Sequence, residues 1–195
     1  AFRAADAFDT HGHGGVFVAF NEAVHAARRV TKTHTSKLET FRSVGTGPVA
    51  TVDRNGVAIH RTPRSESTHL PATSLAAAVY TVTSASGVTG ELLEAAVERD
   101  ADGLVVEGTG LGNTTKALGT AIRDAIGEGV PVVITSRCLE GRTAPVYGGV
   151  GGGERLREYG AIFAGDLPAQ KARIKLTLAL AAFDDETAIR RVFAD

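Results

Sequence analysis

The segment RRVTKTHTSKLETF, which runs from Arg28 to Phe41, concentrates side chains that can take part in proton transfer. It places Lys32 between two threonines, shortly after the apolar run GVFVAFNE. A lysine held in its neutral form can accept a proton from a neighbouring hydroxyl or from water, which is a known way to activate a nucleophile. From this segment alone, a lysine lying along the surface of a solvated turn is favoured. Because the sequence uses five lysines against sixteen arginines, Lys32 is nevertheless a candidate catalytic residue.

A second candidate site is the loop GTGLGN, Gly108–Asn113, which lies between an apolar strand and a helical segment. It has half of a dinucleotide-binding fingerprint, but Asn113 stands where the fingerprint requires glycine, and the next strand ends ITS without a carboxylate. The spacing therefore disfavours a nucleotide and favours a tight turn, in which the Asn113 amide offers donors and an acceptor at a helix start.

The run GGVGGG, 148–153, is interpreted as a mobile loop, and Glu154 beyond it as a solvated or capping carboxylate.

All six histidines lie within the first 69 residues, so they are considered as metal ligands or bases. His11 and His13 provide two ligands, but their loop has no third and fourth ligand at the usual spacing, which favours surface histidines. His25 and His34 flank the threonine-rich segment, where each is a candidate helper base or, more commonly, a half-buried ring. Cys138 follows an apolar strand with no histidine nearby in sequence, and it is interpreted as a packing residue.

Composition describes an ordinary soluble globular protein of 195 residues, with 43% hydrophobic and 22% charged residues. The net charge of −1 gives no electrostatic signal for nucleic acid or for an anionic membrane as a partner. No window contains the roughly 18 consecutive apolar residues of a membrane helix, and the first residues lack the layout of a signal peptide. The single cysteine fits a reducing compartment, so we expect a cytoplasmic protein, with export left open.

The first part of the chain shows short elements of mixed type. AFRAADAFD predicts a helix with Phe2, Ala5 and Phe8 on its apolar stripe, and Val16–Phe20 reads as a strand. SKLETF predicts a further helical patch. PVATVDRNGVAIHR predicts a hairpin whose two-residue turn is the NG dipeptide.

Beyond a polar segment, strands and helices alternate, which predicts a parallel sheet with helices on both faces. We therefore predict an α/β protein of two domains: an N-terminal α/β domain at 1–62, a linker at 63–75, and a Rossmann-like or flavodoxin-like domain at 76–195. Pro168 and an aspartate at 184 or 185 are expected at the starts of the last two helices. Ligands of such sheets gather where strands end, here after Val82, Val106 and Ile134.

Four segments carry a resemblance to a known family. NEAVHAARRVTKTHTSKLETFRSVGTGPVATV resembles the part of bacterial L-asparaginases that contains their V-T-K-T motif. GLVVEGTGLGN, PVVITSRCLEGRT and YGAIFAGDLPAQKARIKLTLAL resemble the remainder of that family in the same order, so the likeness covers essentially the whole chain. The resemblance implies hydrolysis of L-asparagine to L-aspartate and ammonia by a threonine nucleophile, with no metal or organic cofactor.

The resemblance also implies roles for particular residues. Lys32 corresponds to the lysine of a Thr–Lys–Asp set that manages the proton and the water. Asn113 corresponds to an asparagine that reaches into the active site of the neighbouring subunit and holds the amino-acid end of the substrate. Glu154 is the nearest candidate for a glutamate that some members place beside the substrate from the partner subunit, although it does not align cleanly. A homodimer or a dimer of dimers is therefore expected.

The sequence departs from the family pattern at its start. The T-G-G-T-I and H-G-T-D-T segments, which carry the family's two catalytic threonines, do not occur. We expect that about the first third of the family chain is absent, that the domain at 1–62 is truncated, and that this chain alone does not hydrolyse asparagine. The alternatives are a glutaminase-asparaginase, an amidotransferase subunit that deamidates for transfer-RNA charging, and a non-catalytic α/β domain that binds a small molecule. The absence of a basic stripe argues mildly against the amidotransferase.

Overall fold

The computed structural model describes residues 1–62 and 69–194. The chain divides into two compact units, Ala1–Ser67 and Thr68–Asp195. The predicted linker at 63–75 stays a prediction, because its residues 63–68 lie outside the described part of the chain. Residues 69–75 follow without regular secondary structure.

The described part of the first unit contains one α-helix and six short strands. In chain order these are α1 (Phe2–Thr10), β1 (Phe17–Phe20), β2 (Ala23–Ala26), β3 (Thr31–Lys32), β4 (Phe41–Arg42), β5 (Ala50–Val52) and β6 (Val57–Ile59). Four of the strands form an antiparallel sheet in the order β1-β2-β5-β6, and β3 pairs with β4 in a separate antiparallel ribbon. The predicted strand at Val16–Phe20 is confirmed.

Helix α1 packs on this sheet through a stripe that differs from the predicted one. Ala4 and Phe8 are buried and form a core cluster with residues of β2 and β5. The prediction that Phe2 shares the buried stripe is wrong, since Phe2 is 94% exposed. Residues four apart lie above one another on a helix, so a sheet that receives Phe8 also receives Ala4 and leaves Phe2 on another side.

The hairpin and the helical patch of this unit are each confirmed only in part. Strands β5 and β6 form the predicted hairpin, but Val52 pairs with Val57 and the Asp53 main-chain amide donates to Gly56 O. The two central residues of the turn therefore lie one position before the predicted NG dipeptide. The Asp53 carboxylate accepts from the amides of Asn55 and Gly56, and these two hydrogen bonds stabilise the turn at this position. The predicted helix in SKLETF is only a 3-10 turn, Leu38–Thr40.

The described part of the second unit alternates strands and helices. In chain order these are β7 (Val79–Thr83), α2 (Glu91–Val97), β8 (Gly103–Gly108), α3 (Lys116–Gly127), β9 (Val132–Ser136), α4 (Gly153–Tyr159), β10 (Ile162–Phe163), α5 (Ala169–Ala182) and α6 (Glu186–Val192). The strands form one parallel sheet in the order β10-β9-β8-β7. The predicted α/β class with a parallel C-terminal sheet is confirmed.

Consecutive residues of the central strands serve two cores. Leu104 and Val106 of β8 pack with the cluster that includes residues of α2, α3 and α4, while Val105 between them packs with the cluster of α5 and α6. Because side chains alternate across a strand, both faces need apolar residues, and this explains the continuous apolar runs of β8 and β9. Within the described ranges no helix has both the length and the hydropathy that crossing a membrane requires.

Helix starts in this unit agree with the sequence. Pro168 lies directly before the first helical residue of α5, and Asp185 caps α6 by accepting from the amides of Thr187 and Ala188. Helix α3 is capped by Thr115, whose hydroxyl oxygen accepts from Leu118 N at 3.1 Å. The caps fix where α3 begins and therefore where the preceding glycine-rich loop must end.

Candidate functional site

Lys32 is the last residue of β3, where it lies opposite Phe41 of β4. Its Nζ donates to Thr40 Oγ1 at 3.3 Å and lies 5.4 Å from the centroid of the Phe41 ring. The side chain is otherwise exposed. The amine of Lys32 thus contacts the Thr40 hydroxyl and the face of the Phe41 ring, both in the neighbouring part of the same β3–β4 ribbon.

The loop between β3 and β4 is held by hydrogen bonds within itself. Thr33 donates to Thr40 O twice, from its amide at 2.7 Å and from its hydroxyl at 3.0 Å. His34 Nδ1 accepts from the amides of Ser36 and Lys37, at 3.1 and 3.2 Å. The threonine-rich segment is therefore an ordered loop, and His34 organises its turn.

His25 is the buried histidine of this unit. Its Nδ1 is 2.9 Å from Ser43 Oγ, and both side chains are almost fully enclosed. Burial lowers the pKa of His25 below the usual 6.5, so the ring stays neutral near pH 7. Because His25 and Ser43 have almost no access to solvent, the interpretation of His25 as a packed ring fits better than its interpretation as a helper base.

Two of the other histidines, His11 and His13, lie close together near the end of α1. His11 and His13 are stacked at a centroid distance of 6.2 Å, and His13 Nε2 lies 3.1 Å from Thr62 Oγ1. Among residues 1–62 and 69–194 no group of three or more His, Cys, Asp or Glu side chains is placed to hold a metal ion.

Several main-chain groups of the loop between β8 and α3 are occupied by hydrogen bonds. The amides of Gly112 and Asn113 donate to Thr109 O, and the amide of Thr114 donates to Gly151 O at 2.8 Å. Ser136 Oγ donates to Gly110 O at 2.5 Å. A dinucleotide-binding loop needs free main-chain amides to receive a pyrophosphate. These bonds therefore agree with the sequence in disfavouring a nucleotide.

Asn113 contacts the start of α4 with its side chain. Its Oδ1 accepts from Gly153 N at 3.1 Å, so the structure brings Asn113 next to the residue that precedes Glu154. Glu154 itself lies in the first turn of α4 with an exposed side chain. Both residues therefore belong to the second unit, whereas Lys32 belongs to the first.

The mobility predicted for 148–153 stays a prediction, and the structure shows part of this run packed against α3. A Cβ on Gly151 would lie 2.6 Å from Thr115 O, and one on Gly119 of α3 would overlap Val150 O and lie 2.8 Å from the Cα of Gly151. The glycines thus allow this loop to lie directly against the first turns of α3. Glycine runs have two opposite uses, flexibility and close approach, and the sequence alone does not separate them.

Polar residues at the carboxyl ends of β7 and β8 are a feature that the sequence motifs do not identify. Thr83 Oγ1 donates to Glu107 Oε2 at 3.1 Å, and Arg137 Nη1 donates to Ser84 O at 3.2 Å. The signal that could identify them is their position directly at or after strand ends. Cys138 belongs to the same edge and is exposed, so its interpretation as a packing residue is wrong.

Comparison with known proteins places the chain in a family. Residues 78–193 match the profile of the glutaminase/asparaginase C-terminal domain, and residues 1–65 match that of the asparaginase N-terminal domain. The chain therefore belongs to the glutaminase/asparaginase family, and the resemblance drawn from the sequence motifs is confirmed.

Its similar relatives carry two different names. A glutamyl-tRNA(Gln) amidotransferase subunit of Methanosphaera stadtmanae is 35% identical, over 87% of this chain and 39% of its own length. L-asparaginase of Bacillus licheniformis is 31% identical over 88% of this chain and 53% of its own. The probable L-asparaginase of Deinococcus radiodurans is 39% identical over 92% of this chain and 55% of its own. The chain thus spans between about two-fifths and just over half of the length of these relatives.

Proposed function

We propose that this chain is part of an amidohydrolase that converts L-asparagine to L-aspartate and ammonia. The observation that carries the proposal is the match of both parts of the chain, in order, to the two domain profiles of one family. L-asparaginases from two bacteria are among the relatives, and the chain covers slightly more than half of each.

In this reaction a hydroxyl oxygen bonds to the side-chain carboxamide carbon and ammonia leaves. Water then releases aspartate and regenerates the hydroxyl, so each turnover consumes one amide and one water. We assign Lys32 the transfer of the hydroxyl proton. Its amine contacts an uncharged hydroxyl and a ring, and within the described residues no carboxylate forms an ion pair with it. The assignment rests on the place of Lys32 in the V-T-K-T motif, whose lysine in the family belongs to a Thr–Lys–Asp set.

We assign Asn113 to the amino-acid end of the substrate, in a site completed by a second copy of the chain. Because Oδ1 accepts from Gly153 N, the group of this amide that faces a ligand is Nδ2, which donates hydrogen bonds. A donor suits the carboxylate of an amino acid. Glu154, one residue further along, is the candidate partner for the substrate's ammonium group, since a carboxylate pairs with a cation.

The second candidate function is that of an amidotransferase subunit acting on glutamyl-tRNA(Gln). The observation that favours it is the name of several relatives, among them those of Methanosphaera stadtmanae and Halobacterium salinarum, at 35% and 38% identity. The net charge of −1 provides no electrostatic attraction to an RNA, and for this reason we prefer the asparaginase.

The test is ammonia release by the gene product that contains these residues, with L-asparagine and L-glutamine compared. We expect turnover of asparagine and its loss, by at least a hundredfold, in Lys32→Met, the range of a missing proton-transfer group. Lys37→Met is the matched control, since Lys37 is exposed in the loop that follows Lys32. Turnover that survives Lys32→Met, or that requires glutamyl-tRNA(Gln) as acceptor, would contradict the proposal. For the isolated 195 residues we expect no turnover, because neither threonine motif occurs in them.

A further inference from the structure

The Thr40 hydroxyl is a buried polar group with three partners. Thr40 is 3% exposed. Its Oγ1 accepts from Lys32 Nζ at 3.3 Å and from His34 N at 3.2 Å, and it donates to His34 O. The candidate lysine of the first unit is thus linked to a group that is itself fixed from inside the fold.

The chemistry of a hydroxyl shows what this arrangement does. A threonine hydroxyl has one proton to donate and two lone pairs that accept. His34 takes the proton with its carbonyl and fills one lone pair with its amide, so the main chain of a single residue orients the group. The second lone pair receives the amine of Lys32. The Thr40 hydroxyl therefore has all of its hydrogen-bonding positions occupied, and it presents an acceptor to Lys32 in one fixed direction.

The main chain of Thr40 is fixed as well. Its carbonyl accepts from the amide and from the hydroxyl of Thr33, at 2.7 and 3.0 Å, across the β3–β4 ribbon. Thr33 follows Lys32 directly, so the same ribbon that carries the lysine also anchors the acceptor. Strand pairing consequently sets the distance between the main chain of Lys32 and the Thr40 hydroxyl, and only the lysine side chain itself remains to be fixed.

An aromatic face provides the second contact of the amine. The Phe41 ring lies beneath Lys32 Nζ and is packed edge-on against Phe20 of β1, at a centroid distance of 5.3 Å. The hydroxyl and the ring contact the amine together, so two of the directions around the nitrogen are occupied and the remaining ones face outward.

We propose that Thr40 is the positioning residue of Lys32. Its hydroxyl, oriented by the main chain of His34, holds the amine in one place, and that place is where the amine exchanges a proton with the attacking hydroxyl. The second half of this inference rests on the proposed function, whereas the first half concerns this chain alone.

The test of the first half is side-chain NMR of the chain with its lysines labelled at Cε, together with acetylation rates from mass spectrometry. In the unsubstituted chain we expect the Hε signals of Lys32 to be displaced by the ring current of Phe41, and Lys32 to react more slowly than Lys37. In Thr40→Val the displacement should disappear and acetylation of Lys32 should rise about fivefold, as for the loss of one hydrogen bond. Thr40→Ser, which keeps the hydroxyl, should behave like the unsubstituted chain.

Thr33→Val is the matched control for loosening of the loop. It removes the hydroxyl bond to Thr40 O but leaves the bond between Thr40 Oγ1 and Lys32 Nζ. We expect Lys32 to keep its displaced signals in this variant. If Thr33→Val releases Lys32 as completely as Thr40→Val does, or if Thr40→Val changes nothing, the proposal is overturned.

The test of the second half is steady-state kinetics of the gene product that contains these residues. We expect Thr40→Val to lower kcat with little change in KM, and Thr40→Ser to restore it. If Thr40→Val releases the lysine while kcat stays the same, Thr40 still holds Lys32, but the catalytic role assigned to Lys32 is overturned. If Lys32→Met abolishes turnover and Thr40→Val leaves the lysine in place, the proposed function stands and the positioning role fails.

Discussion

The loop after β8 carries the candidate site residue Asn113, and the end of β3 with the loop that follows it carries Lys32, but different groups hold the two places. Around Asn113, main-chain groups from distant segments of the second unit make the bonds, and glycines let those segments approach. Around Lys32, a side-chain hydroxyl makes the hydrogen bond to the amine, and a ring makes the other contact. The arrangement around Asn113 depends on glycines, which have no side chain to keep two backbones apart. The arrangement around Lys32 depends on the side chains of Thr40 and Phe41.

This difference determines which substitutions each loop tolerates. A loop held by its main chain keeps its shape when exposed side chains change, but it does not accept a Cβ where two backbones meet. A loop held by side chains accepts small steric changes and fails when one hydrogen-bonding atom is lost. Substitutions in the loop of the second unit should therefore change mainly the free energy of unfolding. Substitutions in the loop of the first unit should change mainly the reactivity of Lys32.

The largest effect that we expect on stability is that of Gly119→Ala. The new Cβ would overlap Val150 O and press on Gly151, both main-chain groups that have no rotamer to adopt. Overpacking of this kind costs about 3 kcal/mol, and we expect a fall of that size in the free energy of unfolding from urea denaturation.

Gly127→Ala is the control in the same helix, because a Cβ at Gly127 meets nothing within 4 Å. There we expect no loss, or a gain of up to about 1 kcal/mol from higher helix propensity. Equal effects of the two substitutions would show that the close approach of α3 to the 148–153 run, which itself packs against the loop after β8, does not contribute to stability.

The sequence predicts the frame of both loops better than it predicts what fixes them. The continuous apolar runs of β8 and β9 indicate a sheet buried on both faces, and Leu104, Val105 and Val106 confirm this by their division between two cores. Such signals are local, because the length of an apolar run and the spacing of its apolar residues depend only on residues that are close together in the sequence.

The contacts that hold the sites are not local, and the sequence does not predict them. Gly119 needs to be glycine because of Val150, thirty-one positions away, and no periodicity links the two. Thr40 contacts Lys32 only because the β3–β4 ribbon adopts one register, in which Lys32 pairs with Phe41. Motif resemblance identifies Lys32 and Asn113, but it is silent on Thr40, which lies outside the motif.

An intermediate effect is expected for Asn113→Ala, which removes the side-chain acceptor of Gly153 N at the start of α4. Gly153 N loses its acceptor in a buried place, and this costs about 1–3 kcal/mol. The measurement is amide hydrogen exchange at Gly153, where we expect at least tenfold faster exchange. Asn113→Asp keeps an oxygen at the same position and serves as the control, with protection retained. Unchanged exchange in Asn113→Ala would mean that the Asn113 side chain does not hold the loop after β8 against the start of α4.

The smallest effect concerns pH, and it separates the cores of the two units. Burial lowers the pKa of His25 in the first unit, whereas the buried polar residues described in the second unit are Ser84, Thr135, Thr143 and Thr177. A histidine whose folded pKa lies below the unfolded 6.5 binds more protons when unfolded, so the stabilisation is present above pH 6.5 and is lost as pH falls towards the folded pKa.

We therefore expect the first unit to lose stability below pH 6.5, with a slope of at most about 1.4 kcal/mol per pH unit for one group. The measurement is urea denaturation followed by NMR signals of β2 and β8 at several pH values. His25→Asn should remove most of the slope at β2, while His60→Gln, a change at an exposed histidine, should leave it. The same slope at β8 as at β2, still present in His25→Asn, would assign the pH dependence to groups other than His25.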